Sequence, residues 1–123
     1  MNKPEITAIT ISTFNIEKMV HFYKSVFNVK FEDDNIINGL TIYKSVFGGI
    51  TLYFCPNEIA KVKAKQNRHQ LKFKVNDLRK TLKDVDKMDC EIINGMIKTH
   101  NTLIAAIADP DGNSIELVQY LNN

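Results

Sequence analysis

The sequence predicts an α+β fold made of two tandem βαβββ modules. Three observations lead there. A shift of 62 residues lays one half of the 123-residue chain over the other, and self-similarity at a fixed period marks a repeated structural unit. Each half opens with an alternating apolar/polar run and continues with apolar residues at helical spacing. The rest of each half falls into short apolar runs separated by Asn, Asp and Gly turns.

The repeat is one of pattern more than identity. Ile9 falls on Leu71, Ile11 on Phe73, Asn15 on Asp77, Ile16 on Leu78 and Lys18 on Lys80. In the first half, residues 7–12 alternate, with Ile9 and Ile11 on one face and Ala8, Thr10 and Ser12 on the other. Asn15 suits an N-cap for a helix over 16–27, where Ile16, Met19, Val20, Tyr23, Val26 and Phe27 form one stripe. Asn28 suits the left-handed residue that closes a helix. Strands are predicted near 29–32, 40–47 and 50–55, punctuated by Asn38-Gly39 and Gly48-Gly49.

In the second half Leu71, Phe73 and Val75 oppose Gln70, Lys72 and Lys74. Asn76 or Asp77 caps a helix carrying Leu78, Leu82, Val85 and Met88, and strands follow near 91–93, 102–108 and 114–120. Asp109-Pro110-Asp111-Gly112 joins the last two in the residue pattern of a type I turn. The chain reads as one domain over 1–123, with a first module about 5–56, a linker about 57–68 and a second module about 69–121.

Sixteen Lys+Arg against 14 Asp+Glu leave a formal charge of +2, without the basic excess of a protein that tracks phosphate backbones. No nucleic-acid partner is expected. Lys61, Lys63, Lys65 and Arg68 cluster in the linker, but without the interleaved aromatics of a stacking surface they read as solvated. Apolar residues make up 44% and charged residues 24%, a globular balance that excludes wholesale disorder. The longest apolar run, 103–108, is six residues against the roughly 20 that span a bilayer. Residues 1–8 hold no apolar signal core. A cytoplasmic protein with no membrane partner is expected. Cys55 and Cys90 form no CxxC and no Cys/His cluster, which predicts two reduced, mostly buried thiols.

The faces opposite Ile9/Ile11 and Leu71/Phe73 carry Ala8, Thr10, Ser12, Gln70, Lys72, Lys74, Ser114 and Glu116. These are plain surface if each sheet is solvated on that side, and the lining of a cup if the sheets curve toward one another. The duplication, the Asn-Ile and Asp-Leu junctions before each helix, HFYKSVFN and above all ADPDGNSIELVQ resemble the glyoxalase/bleomycin-resistance/dioxygenase family, the vicinal oxygen chelate superfamily. The likeness runs over 6–120. It implies a curved eight-stranded cup with helices on its outer face, and a homodimer in which modules of two chains often pair. In metal-dependent members it further implies a divalent ion held by His, Gln or Glu at positions falling here on Ala8, Thr51, Gln70 and Glu116.

This chain departs from that pattern. Ala8 has no donor, Thr51 a neutral hydroxyl and Gln70 a neutral carboxamide, so only Glu116 brings charge. Stable divalent sites use three or four side-chain donors. His69 points to the face opposite Gln70, His21 falls on the polar side of the first helix and His100 in a loop. No metal and no other cofactor is expected. The family's isomerases, dioxygenases, epimerases and fosfomycin-opening enzymes polarise substrate oxygens with that ion. The expected function is therefore metal-independent binding of a small molecule by a homodimer. Ala8, Thr10, Thr51, Tyr53, Gln70, Lys72 and Glu116 are the ligand-binding positions. Lys72 and Lys74 against Glu116 carry the wrong sign for cationic bleomycin, which favours a neutral or anionic ligand. One alternative is a glyoxalase I-like metal-dependent lyase/isomerase or dioxygenase, with Glu116 as catalytic base beside Lys72 and a divalent metal required. Another is a protein–protein interaction module with the cup as interface. No GxGxxG, P-loop, GxSxG or HExxH motif competes.

Overall fold

The computed structural model describes residues 7–61, 64 and 69–121. Strand β1 (Ala8–Thr13) leads through helix α1 (Ile16–Phe27) to the meander β2 (Glu32–Ile37), β3 (Leu40–Phe47) and β4 (Ile50–Pro56). The helical crossover carries the chain to the far edge of the sheet and the hairpins return it. β4 therefore pairs parallel with β1, in the order β1-β4-β3-β2. A short helix α2 (Asn57–Ala60) precedes the second half. There β5 (Leu71–Lys74), α3 (Leu78–Lys87), β6 (Ile92–Lys98), β7 (Thr102–Ala108) and β8 (Ser114–Tyr120) repeat the plan, in the order β5-β8-β7-β6 with β5 and β8 parallel. The fold is the α+β arrangement of two tandem βαβββ modules.

Local chemistry explains the boundaries. Asp77 caps α3 with its carboxylate, which accepts from the Lys80 N–H at 3.1 Å. Asn15 stands at the N-cap of α1 but makes no side-chain cap bond. Asn28 closes α1 in the left-handed region, at φ 54°, where Asn is tolerated better than most residues. Asn38 and Gly39 both have positive φ, as a tight hairpin twisting with its strands requires.

Four expectations shift. The second strand begins at Glu32 and runs to Ile37 rather than near 29–32, because an acid-rich edge strand exposed along its whole length has no alternation to read. The sixth runs to Lys98 rather than stopping at residue 93. Register shifts between Ile92, Asn94 and Ile97 break its period around Asn94-Gly95, which reads as a turn in sequence. Asn57–Ala60 is helical where a linker was expected, and the Asn57 carboxamide accepts a hydrogen bond from the Ser12 hydroxyl on β1. Of the linker's basic residues, Lys61 is exposed, while Lys63, Lys65 and Arg68 lie outside the described residues. Finally, Phe22 and Thr81 are buried although neither falls on the stripe read from sequence. The Thr81 hydroxyl turns back to the Asp77 carbonyl at 3.0 Å, so its polarity is satisfied inside the helix.

One core spans both modules. Ile11, Met19, Phe22, Tyr23, Leu52 and Phe54 of the first belong to the same cluster as Leu78, Val85, Ala105, Ile107, Ile115 and Leu117 of the second. Phe73 on β5 packs its ring 4.7 Å from Phe27 on α1 and 5.2 Å from Phe47 on β3. The helix-side faces of the two sheets thus meet each other.

The Asp109 turn clasps them. Gly112 donates to the Asp109 carbonyl at 2.8 Å, closing the expected turn. The buried Asp109 carboxylate accepts from the Asp111 and Asn113 N–H groups, from the Asn113 amide and, at 2.9 Å, from the Tyr23 hydroxyl 86 residues away. Burial pushes the Asp109 carboxyl above its ordinary range, and the donors from Asn113 and Tyr23 hold it back. Burial and that carboxylate in turn keep the Tyr23 phenol well above its ordinary value, so it remains a donor at neutral pH. Burial pushes the neighbouring Asp111 carboxyl above its ordinary range as well, opposed by Thr13 and Phe14 at the end of β1.

Candidate functional site

Alternation puts the seven candidate residues on the sheet faces turned away from the shared core. They fall into two groups, one per sheet. In the first sheet Ala8 stands level with Thr51 and Thr10 with Tyr53 across the parallel β1–β4 pair. Ala8, Thr51 and Tyr53 are half-buried and Thr10 is exposed. In the second, Lys72 stands level with Glu116 across β5–β8. Its ammonium lies 3.1 Å from the Glu116 carboxylate. Gln70, just before β5, donates from its amide nitrogen to the Ser114 hydroxyl at 2.7 Å.

The register has a consequence for the four positions implied by resemblance. Gln70 lies beside Ser114 as Ala8 lies beside Thr51, and Glu116 is two residues further along. Counted by strand pairing, the first-sheet residue equivalent to Glu116 is Tyr53, not Thr51. The structure brings Ala8, Thr10, Thr51 and Tyr53 together, and separately Gln70, Lys72 and Glu116. The donors present are one carboxylate already matched by an ammonium, one carboxamide and one hydroxyl.

Sequence reading assigned three neighbours no role in the site. Lys44 stands level with Tyr53 and Val46 with Thr51 across the β3–β4 pair, extending the first face. Lys44 lies 3.7 Å from Asp34, and Val46 is 62% exposed. Ser114 takes the Gln70 amide. Strand alternation in β3 and β8 carried the signal, but it ranks a valine or a serine no higher than any surface residue. Of the other polar groups, His21, His69 and His100 are exposed. Cys55 and Cys90 are free, the first buried and the second half-buried, and burial raises both thiols above their ordinary range.

Two parallel β1–β4-type pairs, two crossover helices and polar faces opposite the helices define a duplicated βαβββ protein. The profile of the Glyoxalase/Bleomycin resistance protein/Dioxygenase superfamily matches residues 5–117, and the chain belongs to that superfamily. Solved structures agree on the fold. A glyoxalase/bleomycin resistance protein/dioxygenase family enzyme from Burkholderia phytofirmans PsJN is 18% identical, with a TM-score of 0.79 over 96% of this chain and 100% of that one. An integron cassette protein from the mobile metagenome of V. cholerae is 23% identical, with a TM-score of 0.71 over 98% of both chains. The fosfomycin resistance protein FosX from Mesorhizobium loti is 15% identical, with a TM-score of 0.70 over 97% and 93%. No curated protein matches the chain.

Proposed function

We propose that this chain is a small-molecule-binding protein of the superfamily that acts without a metal, as a cytoplasmic homodimer whose second copy closes the polar sheet faces into cups. Ala8 carries the reading. The strand position where metal-dependent relatives need His, Gln or Glu ends here in a methyl group. The other three positions do not fit a divalent ion either: Glu116 is matched by Lys72, the Gln70 amide is turned to Ser114, and the first sheet offers a neutral hydroxyl whether the position is Thr51 or, by register, Tyr53. Among the described residues no three His, Cys, Asp or Glu side chains gather in a group able to hold an ion.

A neutral or anionic ligand fits the donors on these faces. Thr10, Thr51 and Gln70 offer hydrogen bonds, Tyr53 a ring to stack on, and Lys72 a cation that exchanges Glu116 for a ligand carboxylate. The case for a second copy is that Tyr53, Val46 and Thr51 share one open sheet face, and a pocket needs concave walls on more than one side. Free thiols suit a reducing compartment.

Elemental analysis, sedimentation and thermal-shift screening of the purified protein test this together. The expected result is a dimer without stoichiometric Ni, Zn, Fe or Mn, stabilised by small carboxylates or neutral amides and no longer by carboxylates in Lys72→Glu. One ion per chain, with melting temperature lost to a chelator, overturns it.

A further inference from the structure

The seam where the two helix-side faces meet is not filled. A cavity of about 740 Å³ lies there, bordered by β1, the β3–β4 hairpin and the end of α1 on one side and by β5 and the start of α3 on the other. Of the polar faces only Val46, Lys72 and Lys74 border it, Lys72 being the one candidate residue among them. Its floor is apolar and aromatic. Phe27, Phe47 and Phe73 come from three different elements with ring centroids 4.7 to 6.2 Å apart. Leu71 and Val75, whose strand parity marks them for burial, stay only half-buried, and Ile50 at the rim is 39% exposed. α3 packs against β6, β7 and β8 and α1 against β4, while the residues of β5 at this end stay half open.

Four of the five charged residues at the rim already have a partner. Lys80 lies 3.1 Å from Asp84, and Asp77 caps its own helix through the Lys80 N–H. Lys72 is bound to Glu116 on the far face of β5; Lys74 also borders the cavity, and alternation sets it on that same far face. Apart from Lys74, which alternation turns to the other face of β5, a charged guest finds no unmatched partner in this seam, and an unpaired charge taken out of water is costly. Three phenylalanine rings instead offer edge and face contacts to a flat apolar body, and the volume falls in the range of sites that hold drug-sized molecules.

We infer that the inter-module seam is a second binding site, separate from the polar sheet faces, for an uncharged aromatic molecule of two or three rings. The site stands whether or not the reading of the polar faces does.

The test uses two probes that differ by one sulfonate, N-phenyl-1-naphthylamine and 8-anilinonaphthalene-1-sulfonate, followed by fluorescence. The neutral probe is expected to saturate near one per chain, and the sulfonate to bind at least about tenfold more weakly. Ile50→Glu, which puts a carboxylate at the rim, is expected to weaken the neutral probe by about tenfold or more. Ile97→Glu, at an apolar residue of β6 that is 56% exposed, leaves it unchanged. Amide NMR shifts on adding the neutral probe are read in the wild type, so the test stands even if Ile50→Glu folds poorly. They should centre on Phe27, Phe47, Leu71 and Phe73. Equal binding of the two probes, shifts centred elsewhere, or equal loss in Ile97→Glu overturns the inference. So does neutral-probe binding seen only when dilution dissociates the protein, because a second copy would then occupy the seam.

Discussion

Tyr23→Phe removes one oxygen from the centre of the molecule and tests whether the Asp109 clasp holds the modules together. Tyr23 is 1% exposed and Asp109 3% exposed, so no solvent replaces the lost 2.9 Å bond. A hydrogen bond to a charged group contributes about 1.5–3 kcal/mol. Asp109 keeps its three other donors, which favours the middle of that range, about 2 kcal/mol. For a chain of this length that corresponds to a fall in Tm of roughly 6–12 °C. The loss also depends on pH. Burial raises the Asp109 carboxyl above its ordinary 3.8 in the fold, so folding favours its protonated form. Stability is fullest below that ordinary value and declines as pH rises through the folded value. The Tyr23 bond limits that decline by favouring the ionised form. Removing it raises the folded value further, so the variant's deficit should be larger at pH 7 than at about pH 3.5. Urea unfolding at the two pH values measures both numbers. A deficit below about 0.5 kcal/mol at pH 7, or one that does not change with pH, refutes the argument.

Three further outcomes follow from the same geometry. Asp77→Ala should cost about 1 kcal/mol by denaturant unfolding, and Asn15→Ala clearly less, since only Asp77 makes a side-chain cap bond. Asn28→Val should cost roughly 1–2 kcal/mol because φ 54° crowds a branched Cβ, whereas Asn28→Gly should be tolerated. Replacing both Lys72 and Glu116 by Ala should change stability by less than about 1 kcal/mol, as their side chains are 56% and 36% exposed. A larger loss from that pair would make it a structural strut rather than part of a face open to ligand.

The fold was legible where one residue type has one physical use. Asn28, Asp77, Asn38-Gly39 and Asp109-Gly112 each do what their backbone chemistry suggests. Strands β3, β7 and β8 and helix α1 lie where their periods place them. β2 and β6 are pinned by pairing with β3 and β7 instead, and a strand with no buried face or with register shifts leaves no period in the sequence. The candidate site was legible as a face but not as a level. Alternation separates Thr51 from Leu52, yet only the β1–β4 and β5–β8 registers show that Tyr53, and not Thr51, is the counterpart of Glu116. The seam was not legible at all, because Leu71 and Val75 carry the pattern of core residues and only the uneven cover of two helices leaves them half open.

The most distinctive stretch of the chain, Asp109 to Glu116, joins two jobs that can be lost separately. Asp109 and Asn113 stitch the last hairpin to Tyr23, and nothing in that stitching calls for an ion. Glu116 lies three residues beyond, on the opposite side of β8 from buried Ile115 and Leu117, and answers only to Lys72 among the described ion pairs. The fold therefore uses Asp109, Gly112 and Asn113 whatever the polar face does. A metal site of the kind the resemblance implies would call on residue 8 as well, on the other module and paired with a residue 43 positions away. A chain can thus match its superfamily from residue 5 to 117 while a methyl group stands at residue 8, the position where the resemblance implies a ligand. The motif identifies the scaffold, and residue 8 is where the chemistry has to be read.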